Sequence, residues 1–177
     1  MALSSDPADL GEDGFADSGG VKIHYVTKGT GPLAVLIHGI PGFWYDWRHQ
    51  IPALARHFQV VAIDQRGFNL SDQPHGVENY TRDKLVGDVN AVVQHFGQLK
   101  ATLVGHDSGG WISWHYAMAH PDRTERLVLV NLPHPRAASS ASWRTIPGNT
   151  RPASTHGNCS NCHRAAETWS SKASPAS

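Results

Sequence analysis

"ATLVGHDSGGWISW", Ala101 to Trp114, changes character in its middle. Its first residues are apolar without alternation, as a strand buried on both faces reads. From Ser108 the run "SGGWISWHYAMAH" reads as a helix, closed by Pro121. Between the two, Gly105-His106-Asp107-Ser108-Gly109 must turn the chain sharply. Glycine two places before and two places after a central residue is the spacing of a strand-to-helix elbow that presents a nucleophile, here with aspartate at the centre. Such a turn is strained and needs small neighbours, which Gly105, Gly109 and Gly110 supply; Gly110 also lets the helix approach the sheet. The helix start brings partial positive charge and free N–H groups to Asp107, which suit a carboxylate able to attack carbon.

Two other readings compete at this turn. "DSGG" also surrounds the serine of chymotrypsin-like proteases, which would make Ser108 the nucleophile. Those proteases are antiparallel barrels, however, and this chain reads as α/β. A second reading has Asp107 only capping the helix, which leaves the earlier loop "HGIPG" unexplained.

Outward from the turn, the same pattern repeats. Val21 to Val26 alternates as a short strand, closed by "KGTGP". "LAVLIHG" (Leu33 to Gly39) and "FQVVAID" (Phe58 to Asp64) are continuous apolar runs, and "TERLVLVNL" (Thr124 to Leu132) reads as a further strand. Asp46 to His57 reads as a helix with a break or first turn at Pro52. Leu85, Val86, Val89, Val92, Val93 and Phe96 form one apolar stripe, with Thr81 as cap and Gly97 as stop. Strands without alternation, separated by helices, predict a mostly parallel sheet covered on both faces. In such sheets the site lies beyond the carboxyl ends of the strands, where the loops after His38, Asp64 and Gly105 fall.

Composition bounds the rest. Forty per cent hydrophobic and 17% charged residues read as soluble and globular, and 177 residues allow one domain or part of a larger one. Fifteen basic and fifteen acidic residues give zero formal charge, so neither nucleic acid nor an anionic membrane is an expected partner. No run nears the roughly 18 apolar residues of a membrane span. The first twenty residues hold five acids and no base, so the expectation is a flexible segment over 1–19 and a cytoplasmic protein. Residues 137–177 hold nine serines, eight alanines and a single long aliphatic residue, Ile146. Such a tail is expected to remain disordered, because it buries too little to offset its ordering entropy.

Four motifs in order then carry a resemblance. "HGIPG" (His38 to Gly42), "DQRGFNLSD" (Asp64 to Asp72), "GHDSGG" (Gly105 to Gly110) and "NLPHP" (Asn131 to Pro135) resemble the α/β-hydrolase superfamily, epoxide hydrolase branch. The resemblance covers residues 20–136 and implies the N-terminal half of that fold. It implies that Asp107 attacks an epoxide carbon to form an ester, with the backbone N–H groups of Ser108 and Ile40 as the oxyanion hole. His38, Gly39 and Pro41 would shape one turn, and Gly105, His106, Gly109 and Gly110 the other. Trp44 and Trp47 either line the pocket floor or pack in the core. Asp64 and Arg66 read as a brace for their loop, and Asn69 as a residue in the left-handed conformation where the family often has glycine. The implied substrates are a small epoxide and water, with no cofactor and no metal. Haloalkane and haloacid dehalogenases are related alternatives; Ser108, Ile40 and Trp111 stand where their halide- or carboxylate-gripping residues would be.

The hydrolytic half of that reaction needs a histidine and an orienting acid, and family members add cap tyrosines for ring opening. The tyrosines here are at 25, 45, 80 and 116, before any cap would begin. Beyond Asp107 the acids are Asp122, Glu125 and Glu167, while His134 belongs to "NLPHP" and His156 and His163 lie in the tail. The expectation is therefore either a truncated epoxide hydrolase-like enzyme or a non-catalytic fragment. A shifted reading frame would account for the break: "ASWRTIP" (Ala141 to Pro147) can be encoded so that the neighbouring frame reads Glu-Leu-Ala-Asn-Asn-Pro. "CSNCH" (Cys159 to His163) matches a haem-attachment motif, but it lacks any accompanying haem pocket and reads as chance.

Overall fold

A computed structural model describes residues 10–132. Six strands form one sheet: β1 (Glu12–Ser18), β2 (Val21–Lys28), β3 (Leu33–Ile37), β4 (Gln59–Ile63), β5 (Ala101–His106) and β6 (Thr124–Val130). Their order is β1-β2-β4-β3-β5-β6. The first two pairings, β1 with β2 and β2 with β4, are antiparallel; β4, β3, β5 and β6 run parallel. Helices α1 (Gln50–Leu54), α2 (Arg82–His95) and α3 (Ser108–Ala119) complete the α/β architecture expected from the unalternating strands.

Both faces of the central strands are covered, which is why they need apolar residues at every position. On one face Val35, Ile37, Val61, Ile63 and Leu103 meet the α2 stripe (Leu85, Val86, Val89, Val92, Val93) and Ile112 and Tyr116 of α3. On the other, Val26, Leu36, Val60 and Ala62 meet Trp44, Trp47 and Ile51. A fully buried valine or isoleucine contributes about 1.5–3 kcal/mol, so the two clusters dominate stability.

Three details depart from the sequence expectations. Residues 12–18 are not part of a loose leader: they form β1, paired with β2 from Glu12↔Thr27 to Ser18↔Val21. The acids hid this strand, because at a sheet edge they can point to water while the hydrogen-bond ladder still forms; only Ala16 is fully buried. Asp17 also closes the hairpin by accepting the Gly20 N–H at 2.8 Å. The helix expected over 46–57 is two short pieces, a 3₁₀ turn at Trp44–Trp47 and then α1, with Pro52 in the first turn of α1. Thr81 occupies the N-cap position of α2 without a capping side-chain bond, whereas Gly97 follows α2 with φ 66° as expected of a stop. The expectations for residues 1–9 and for the tail after residue 136, with its shifted frame and "CSNCH", lie outside the described residues.

Among the described residues β6 pairs only with β5. Its face toward α3 keeps Leu127 packed on the core, while Val128 and Val130 are exposed on the opposite face.

Candidate active site at the Asp107 turn

The elbow forms where the spacing places it. Asp107 sits between β5 and α3 with φ 50° and ψ −118°, a conformation that costs a non-glycine residue strain. Its N–H donates to Val130 O and its own carbonyl accepts the Trp111 N–H, both at 3.1 Å, so the strained residue is held from each side. Gly109 shows why no side chain is tolerated beside it: a Cβ there would run into the carbonyl oxygens of Ile37 and His38. The start of α3 is thus pressed against the end of β3.

That closeness brings the "HGIPG" turn over the carboxylate. The Ile40 N–H donates to Asp107 Oδ2 at 3.1 Å. A Cβ on Gly39 would lie 2.8 Å from both Asp107 Cβ and His106 Nδ1, so only glycine fits between them. The Ile40–Pro41 peptide is cis. Ser108 opens α3, and its Oγ lies 3.5 Å from Gln65 Nε2; among the described residues no histidine hydrogen-bonds to it.

His38 is fully buried and has both ring nitrogens engaged. Nδ1 donates to Gly39 O at 2.7 Å, which leaves Nε2 to accept the Gln65 N–H at 3.1 Å. Burial pushes its pKa below the usual histidine value, against the Gly39 hydrogen bond that favours the charged form. With Nε2 acting as acceptor, the ring carries a single proton, on Nδ1.

Asp64 and Arg66 do brace their loop, but through different partners. Arg66 grips the buried Asp88 of α2 (Nε to Oδ2 2.6 Å, Nη2 to Oδ1 2.5 Å) and donates to Asn79 O. Asp64 accepts from His24 Nδ1 at 2.7 Å, from the Trp44 N–H at 2.8 Å and from Asn69 Nδ2 at 2.8 Å. Asn69 has φ 45°, the left-handed conformation expected of it. His24 also reaches Asp13 Oδ1 at 3.0 Å through Nε2. Burial opposes its charged form, but the hydrogen bonds and charges of Asp64 and Asp13 together outweigh this and raise its pKa above the usual value.

A strained aspartate at a strand-to-helix elbow, facing a backbone donor from the turn after the neighbouring parallel strand, is a distinctive arrangement. The model of the family described as "alpha/beta hydrolase fold" matches residues 32–165. The chain belongs to that family. It is 40% identical over 131 residues to AB hydrolase superfamily protein YfhM of Bacillus subtilis (strain 168), covering 72% of this chain and 46% of that protein. To Epoxide hydrolase 1 of Caenorhabditis elegans it is 45% identical over 128 residues, covering 70% of this chain and 32% of that protein. Among solved structures, epoxide hydrolase VrEH1 from Vigna radiata aligns with TM-score 0.69 at 35% identity, covering 71% of this chain and 41% of that one. This α/β-hydrolase chain therefore spans between about a third and a half of the length of the relatives it matches.

Beside the elbow of this hydrolase chain lies a cavity of about 410 Å³, lined by His38, Asp46, Trp47, Gln50, His106 and Val130. A larger cavity of about 880 Å³ lies at the other end of the sheet, against Leu33, Thr102, Glu125 and Arg126. Those residues mark the amino ends of β3, β5 and β6, so the smaller cavity is the one near the candidate chemistry. Trp47 lines it and is also buried in the second core cluster; Trp44 packs in that cluster without lining the cavity. Two residues beside the site belong to the motifs quoted above but have no individual role that the sequence shows. Asn131 has φ 55° and approaches His106 Nε2 at 3.3 Å. Gln65 is buried against His38. Its place two residues beyond the buried strand β4, next to Asp64, was the available signal for Gln65.

No group of three or more His, Cys, Asp or Glu able to hold a metal ion occurs among the described residues. No helix among them is long and apolar enough to cross a membrane.

Proposed function

We propose that this chain carries the ester-forming half of an epoxide hydrolase site, with Asp107 as nucleophile and the backbone N–H groups of Ile40 and Ser108 as oxyanion donors. A carboxylate oxygen of Asp107 attacks an epoxide carbon. The C–O bond of the ring breaks, its oxygen takes a proton from water, and a hydroxyalkyl ester remains on Asp107. In a site that also holds a base, water would then attack the ester carbonyl, whose oxygen gains negative charge beside those N–H groups, and collapse would release a diol and the carboxylate. The observation that carries this reading is the Ile40 N–H at 3.1 Å from Asp107 Oδ2. The relatives named epoxide hydrolases support the substrate class.

The second step needs a base and an orienting acid. Both ring nitrogens of His38 are committed to backbone partners, so His38 has no free nitrogen to serve as that base. A site without such a base accumulates the ester, and that is the outcome expected here. Incubation with an aryl epoxide followed by intact-mass and peptide mapping tests this. A single adduct on Asp107 without diol is the expected result. Diol formed over many turnovers would overturn the stalled reading, and a folded protein that gains no adduct would overturn the nucleophile assignment.

A further inference from the structure

We infer that Gln65 is the positioning residue that aims the Ile40 N–H at Asp107; its effect on chemistry rests on the nucleophile reading above. The Gly39–Ile40 peptide has two ends. Its N–H points to Asp107 Oδ2, and its carbonyl oxygen is held by His38 Nδ1. That peptide can keep its orientation only while the His38 proton stays on Nδ1. The backbone N–H of residue 65 fixes the proton there by occupying Nε2 at 3.1 Å, a contact that Gln65→Met and Gln65→Glu leave in place, so those variants test the side-chain amide.

The Gln65 side chain holds the preceding peptide as well. Its Nε2 donates to His38 O at 2.5 Å and lies 3.5 Å from Ser108 Oγ, at the first residue of α3. One residue after β4 thus ties the turn after β3 to the turn after β5. At 5% exposure, an amide in this position loses its hydration and must be aligned with its partners. The donor is required: a carboxylate there would face the His38 carbonyl oxygen instead of bonding to it.

The test compares wild type with Gln65→Met and Gln65→Glu. Urea unfolding establishes that each variant folds, and NMR follows the Ile40 amide. In Gln65→Met the Ile40 amide resonance shifts and its hydrogen exchange quickens; an Ile40 amide identical to wild type overturns the inference, whatever happens with epoxide. With an aryl epoxide at saturation, Gln65→Met forms the Asp107 ester about a hundredfold more slowly. Gln65→Glu shows a deficit relative to wild type that narrows as the pH falls and the carboxyl regains a proton to donate. A loss of stability alone, with the wild-type rate of ester formation, makes Gln65 merely structural and also overturns the inference. If wild type forms no ester, the nucleophile reading fails, and the Ile40 amide still decides the role of Gln65.

Discussion

The Ile40 backbone N–H lies 3.1 Å from Asp107 Oδ2, although the two residues belong to turns that follow different strands. Only Gly39 allows this approach, since any Cβ there would press on Asp107 and His106. Gly39→Ala is expected to cost about 1–3 kcal/mol through overpacking and to abolish ester formation. Urea unfolding and intact-mass measurement after aryl epoxide treatment check both halves. A variant that is destabilised yet forms the ester at the wild-type rate would show that the contact has no part in the chemistry.

Arg66 and Asp88 are both buried and joined by two hydrogen bonds, tying the loop after β4 to α2. Removing one partner leaves the other charge unpaired, so Arg66→Met or Asp88→Leu should each cost about 3–5 kcal/mol. The double replacement Arg66→Met with Asp88→Leu should cost less than the sum, because no orphan charge remains. A double-mutant cycle from urea midpoints measures the coupling, and additive losses would contradict it.

His24 gives the fold a pH dependence with a definite sign. Its folded pKa is raised by Asp64 and Asp13 despite burial, so its contribution is fully present below the unfolded value near 6.5. That contribution is lost as the pH rises through the folded pKa. The stability difference between wild type and His24→Gln should therefore be largest near pH 6 and shrink toward pH 9. Urea titrations at several pH values test it; a difference that grows with pH would reverse the assignment.

On β6, Leu127 packs against the core, while Val128 is 45% exposed. Val128→Lys should change stability by no more than about 0.5 kcal/mol, and any self-association should fall with a charge on a strand that pairs on one side only among the described residues. Leu127→Ala should cost more, through lost packing. Light scattering and urea unfolding separate the two effects.

The parallel sheet and the elbow were legible because each depends on local pattern. Unalternating runs such as Leu33 to Ile37 can only be satisfied between two covered faces, and glycines at 105 and 109 frame one turn. β1 was not legible, since its stability comes from pairing with β2 rather than from a buried face. The partners of Asp64 and Arg66 were hidden for a related reason. Both read as a brace, but His24 and Asp88 come from β2 and α2, and no spacing within "DQRGFNLSD" points to them. Gln65 carried no periodic signal at all. Its importance arises from contacts that exist only once three strands are side by side.

The β3–β5 register, with Ile37 opposite Gly105, has a consequence for the order of folding. β3 lies between β4 and β5, so half of its ladder waits for a strand that follows the whole of α2. Closing that long loop is entropically the slower event. Ile40 and Asp107 should therefore come into register in one late step, and substitutions that weaken β3–β5 pairing should slow formation of the reactive turn more than they slow collapse of the β1–β2–β4 portion.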